Sequence, residues 1–230
     1  MIRKGPVGFF DPDLIPWNPE ANIDGLFSKT LASCADTGSY TRLLKFLPGT
    51  DTSVAGAQTH DHLEELWIVE GAIHDLSLDR NFIAGMYANR LHHMAHGPWR
   101  APGGAITYEL RDNDPDARIK KEQLEFFDPA LVEWDGVDVD AGIFVKTLTE
   151  CVDTRSYGRL VKFHPGASKP GKVRGEMSRS ELWIVSGALE DQETGDVHPT
   201  GSYGNVDIDL LDGRWGSRSG CVVFEVRNHL

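Results

Sequence analysis

Short apolar runs alternate with turn signals along the whole chain. Residues 40–47 (Tyr-Thr-Arg-Leu-Leu-Lys-Phe-Leu) stop at Pro48-Gly49, residues 66–69 (Leu-Trp-Ile-Val) stop at Glu70-Gly71, and residues 105–110 follow Pro102-Gly103-Gly104. Aromatic and aliphatic side chains suit a pleated, half-buried surface, whereas Gly and Pro interrupt the ladder, so such bounded runs are predicted strands. No stretch carries a convincing helical period. Strands spaced by turn signals at roughly 8–12 residues mark a sandwich or a barrel. The predicted class is all-β, built as small jelly rolls.

The pattern occurs twice. Phe9-Phe10-Asp11-Pro12 with Trp17 returns as Phe126-Phe127-Asp128-Pro129 with Trp134, an offset of 117 because 134 minus 17 is 117. Cys34, Tyr40, Arg42 and Lys45 keep that offset to Cys151, Tyr157, Arg159 and Lys162. Farther on it is 116, as Gly71 pairs with Gly187, Tyr87 with Tyr203 and Trp99 with Trp215. A repeat of this length predicts two tandem barrels, residues 1–117 and 118–230, divided in the charged, Pro-containing run 112–121.

Composition narrows the function. A formal net charge of -12 is the wrong sign for a surface that displaces counterions from phosphates, so no nucleic-acid partner is expected. Pro12 and Pro16 precede any apolar run long enough to enter a membrane, so neither a membrane partner nor a targeting segment is expected. Three widely spaced cysteines without a C-x-x-C pair read as reduced thiols, which points to the cytoplasm. Duplicated Arg42 and Lys45 read as a solvated strand face.

Candidate chemistry collects just before the 66–69 run. His60, His62 and Glu64 lie within a few residues, and His92, His93 and His96 follow after Gly85-x-Tyr87. The second copy replaces Glu64 by Ser180 and His96 by Asp212, and the His60 segment by Arg174-Gly175-Glu176-Met177-Ser178. Only the first copy is therefore expected to hold a metal. Strands about 4.8 Å apart let His and Glu on neighbouring strands converge on one ion at about 2.0–2.2 Å.

His60-x3-Glu64-x6-Gly71, then Gly85-x-Tyr87 and His96-Gly97-Pro98-Trp99, resembles the two-part signature of the cupin superfamily. The whole chain resembles a bicupin of the group that includes the cupin domain of ChrR anti-sigma factors. The resemblance implies a double-stranded β-helix barrel with a divalent metal inside, held by up to three His and one Glu. His60-Asp61-His62 is the obvious H-x-H, but it leaves only Leu63 before Glu64. A register shifted by two puts Gln58 and His60 in those places. His60, Glu64 and His96 are thus the expected ligands, with Gln58 or His62 as the fourth. Readings with His62 in place of His60, or Glu65 in place of Glu64, stay open.

Alternation then places Leu66 and Ile68 on the pocket floor and turns Trp67 and Val69 outward, toward another copy or subunit. A homodimer is expected. Imidazole and carboxylate without sulfur suit one divalent transition metal per chain, Fe or Mn first, with Zn, Ni or Co as alternatives. The expected function is a metal-dependent enzyme acting on a small organic molecule, by dioxygenase-like or Lewis-acid chemistry. His92 or His93 would move a proton, unless both lie in a solvated loop. The alternatives are a non-catalytic sensor or binding module of the ChrR-like kind, and a metal that only staples the barrel.

Overall fold

A computed structural model describes the chain except residues 1–3, 6, 114–120, 122–123, 153, 169–177, 209, 212 and 228–230, and gives backbone alone at 178. The expected boundary run therefore lies largely outside the described residues, as do Asp212 and positions 174–177.

The fold is all-β, in two antiparallel ten-stranded sheets. Among the described residues the only helical pieces are the three-residue 3-10 turns Pro12–Leu14, Ser53–Ala55 and Pro129–Leu131. No helix among them is long and apolar enough to cross a membrane. Cys34, Cys151 and Cys221 are buried and not joined in disulfides.

The chain forms two compact units that are not the contiguous halves expected. One is drawn from Asp13–Asp116 with Gln123–Pro129, and the other from Pro6–Pro12 with Ala130–Leu230. Accordingly Leu124–Phe127 pairs with Tyr87–Arg90 in the first unit, and Gly8–Phe10 pairs with Tyr203–Ile208 in the second. Both arms carry the Phe-Phe pair noted above. In the first unit Phe126 is 2% exposed and packs on Phe82 and Trp99.

The first unit is organised by the strand Leu63–Asp75. Its first half lies between Tyr87–Arg90 and Ala105–Asp112, and its second half pairs with Arg80–Ile83 and Trp99–Ala101. One strand thereby lines both walls of the barrel. The turn between halves is at Gly71, expected to stop the strand but found to bend it. Its φ is 72°, a left-handed value, and an added Cβ would strike the Gly104 carbonyl oxygen. Only glycine fits there without strain, and the register shifts beside it, between Ile106 and Thr107.

Leu26, Leu44, Phe46, Leu66, Ile68 and Ile73 fill the interior. Each such side chain, fully buried, stabilises the fold by about 1.5–3 kcal/mol. Trp67, expected to face another copy or subunit and not solvent, is 4% exposed.

Candidate metal centre

Cross-strand register builds the charged part of the site. Glu64, near the start of Leu63–Asp75, lies opposite Arg90 on one neighbouring strand and opposite Arg111 on the other. Directly opposed residues on one face touch. Arg90 Nη1 accordingly donates to Glu64 Oε2 at 2.8 Å, and Arg111 Nε donates to Oε1 at 3.0 Å. Glu109 is opposite Arg42 in the same way and accepts from its Nε at 2.5 Å, while Arg111 also pairs with Glu109. Arg42 is therefore an interior residue and not part of a solvated face. Lys45 differs, its Nζ lying 5.5 Å from the centre of the Trp17 ring.

The histidines come from two loops zipped together. Gln58 and His96 form an isolated bridge through N–H to O contacts of 2.9 and 3.0 Å, and His93 N–H donates to the His60 carbonyl at 2.9 Å. The segment 58–60 is thus not a regular strand. His60 Nε2 and His96 Nε2 then sit 3.5 and 3.8 Å from Glu64 Oε2. One ligand atom from each of His60, Glu64 and His96 lies within 4.8 Å of the others.

The donor set fits a metal ion. Both ring nitrogens of His60 are buried without a hydrogen-bond partner, a costly state unless something binds them. His96 Nδ1 is 3.2 Å from the Met94 carbonyl oxygen. A carbonyl only accepts, so Nδ1 carries the proton and Nε2 presents a lone pair toward Glu64. Burial and the Arg90 charge lower the His96 pKa to about 4, which keeps the ring neutral. Burial would push the Glu64 carboxyl up, but the His60 ring and the charges of Arg90 and Arg111 hold it well below the usual carboxylate range. Two imidazoles and one carboxylate are ligands that first-row divalent metals accept.

Of the two candidates for a fourth position, Gln58 lines the cavity. His62 instead stacks on His60, with ring centroids 3.6 Å apart and planes 9° from parallel. Its Nε2 is buried and unpartnered, and burial lowers its pKa to about 3. Glu65 points elsewhere, accepting a hydrogen bond from the Tyr87 hydroxyl at 2.5 Å.

A cavity of about 200 Å³ opens beside the centre, lined by Gln58, Glu64 and His96 among others. Leu66 lines it as expected, whereas Ile68 belongs to the core and does not reach it. His92 and His93, proposed from sequence as proton carriers, do not line it either. Their side chains are 44% and 73% exposed, and His92 Nδ1 is 2.9 Å from Asp61 Oδ1. Both lie in the loop that holds the backbone of His60.

Sequence reading missed Arg42, Arg90, Glu109 and Arg111, all on the cavity wall. The signals were there. Thr107, Glu109 and Arg111 alternate along one face of an otherwise apolar strand, and Arg90 has apolar Val206 as its counterpart. In the second unit Ser180 is fully buried and donates to Glu225 Oε1 at 2.9 Å. Among the described residues no other group of three His, Cys, Asp or Glu could hold a metal.

No protein-family model and no curated protein matches the chain. Solved structures do. A provisionally named dioxygenase from Nostoc punctiforme shares 16% identity at a TM-score of 0.76, over 96% of this chain and 82% of that one. A cupin 2 conserved barrel domain protein from Leptotrichia buccalis shares 11% at 0.62, over 99% of both chains. Oxalate decarboxylase from Lactobacillus farciminis shares 11% at 0.58, over 97% and 86%. The chain has the cupin fold, with a His-Glu-His cluster that could bind a metal inside its first unit.

Proposed function

We propose that the first unit is a metal-dependent catalytic centre for a small organic molecule, with His60, Glu64 and His96 as ligands and Gln58 beside them. One observation carries it: the His60 ring, with both nitrogens buried and lacking a hydrogen-bond partner, stands beside the buried Glu64 carboxylate and the His96 imidazole, at the edge of a cavity. A bound Fe or Mn ion would supply redox or Lewis-acid chemistry. The protein's part is orientation. Arg90 and Arg111 fix the two Glu64 oxygens, Met94 fixes the His96 ring, and Leu66, Trp99 and Phe126 add apolar surface to the cavity. The names dioxygenase and oxalate decarboxylase among structures of the same fold support an enzyme as analogy only.

Three protein ligands leave positions open for water or substrate. Protein loaded with Mn(II) should therefore enhance the relaxation of water protons through exchange at the ion. A bound ion that gives no enhancement would be closed off by protein, and the catalytic reading would yield to a structural staple or a ChrR-like binding module.

A further inference from the structure

The charges around the cavity define what it would take once a metal is bound. Six charged side chains line it: Arg42, Arg90 and Arg111 against Glu20, Glu64 and Glu109. Guanidinium groups stay charged in proteins, so the wall is balanced when all three carboxylates are ionised and positive otherwise. Adding a divalent cation leaves a buried excess of positive charge, which is costly without a counter-ion. Glu125, 3.3 Å from Arg90 Nη2, offsets one unit of it and lies outside the lining.

A second, independent observation singles out one side chain. Arg90 is 1% exposed, and its Nε is buried without a hydrogen-bond partner, although Nη1 is bonded to Glu64 and Nη2 to Glu125. The guanidinium is held in place between rings, its centre 5.2 Å from that of Trp99 and 5.1 Å from that of Phe126. An oriented, desolvated donor of this kind is a site for an acceptor oxygen.

The lining also includes the apolar Leu44, Phe46, Leu66 and Ile73. A cavity of about 150 Å³ accommodates benzene, so about 200 Å³ accommodates a six-membered ring with one small substituent. We infer that the metal-loaded cavity binds a small organic anion, an apolar or aromatic body bearing a carboxylate, with Arg90 Nε as the donor to that carboxylate. This rests on the metal-binding reading above.

The test uses benzoate as probe and benzamide as its neutral counterpart, with affinities measured by calorimetry on the full chain and the metal content of each sample measured first. On Zn(II)-loaded protein benzoate should bind about tenfold or more tightly than benzamide, as expected for a hydrogen bond between charged groups, and that preference should shrink when the metal is stripped. Because Arg90 also holds Glu64, Arg90→Met is compared with the parent at equal measured metal occupancy, where it should lose most of that preference. Comparable affinities for the two probes, or binding of neither, on protein carrying its metal would overturn the inference while leaving the metal site standing. Native protein that takes up no metal would overturn the metal reading, and this inference with it. The comparison on native protein needs no variant, so it stands even if Arg90→Met fails to fold.

Discussion

The two units use the same wall and differ in what is mounted on it. In the first, Arg42, Glu109 and Arg111 form a buried charged group beside Tyr40; in the second, Arg159, Glu225 and Arg227 do so beside Tyr157. Glu225 Oε2 accepts from Arg159 Nε at 2.7 Å, and Oε1 accepts from the Tyr157 hydroxyl at 3.0 Å. That group is present whether or not histidines are, so it belongs to the barrel. What the first unit adds is Glu64 where the second has Ser180, Arg90 where the second has Val206, and the loop histidines. A second carboxylate and a third guanidinium enter together, as buried charges must if each is to be paired.

The largest effect should come from breaking the shared group where no metal role is claimed. Glu225→Ala leaves Arg159 and Arg227 facing each other without their carboxylate, and removing one partner of such a group costs about 3–5 kcal/mol. Urea unfolding should show that loss with metal content unchanged. A smaller drop, or a loss of metal, would mean that the two groups are not equivalent.

Acid should next act through the histidines of the site. In metal-free protein His96 and His62 have folded pKa values of about 4 and about 3, below the ordinary 6.5. Between those values the unfolded chain binds more protons than the folded one. Stability is therefore full above about pH 6.5 and falls with acidification, with a slope of about 1.4 kcal/mol per pH unit for each histidine. His96→Gln should flatten the dependence of the unfolding midpoint on pH between 6.5 and 4; an unchanged slope would place the acid sensitivity elsewhere.

The smallest effect should be shared. Gly71 and Gly187 have φ of 72° and 75°, and an added Cβ would strike the carbonyl oxygen of Gly104 or Gly220. Each Gly→Ala change should lower the melting temperature by a similar few degrees, as expected for about 1–2 kcal/mol of backbone strain. Sharply unequal shifts would show that the bend serves the site in one unit and only the fold in the other.

Much of this fold was legible because the pleat has period two and turns use Gly and Pro. The runs at 40–47 and 105–110 are strands within a residue or two of the expected bounds, as Tyr40–Phe46 and Ala105–Asp112. The 66–69 run was read too short, since a glycine that bends a strand and one that ends it look alike in sequence. The exchanged Phe-Phe arms were illegible for another reason: which edge a short strand joins depends on tertiary pairing. His60, Glu64 and His96 could be found from spacing, and the register that puts Glu64 between Arg90 and Arg111 could not. For Arg90 the signal lay in the other copy, where apolar Val206 holds the matching place.

The central claim is that one metal site exists, in the first unit, held by His60, Glu64 and His96. Elemental analysis of protein purified without an affinity tag, alongside His60→Ala and His96→Ala, tests it directly. The account predicts about one transition-metal ion per chain in the parent and almost none in either variant, with the β-sheet circular dichroism preserved. A parent without metal, or variants that keep it, would contradict the claim.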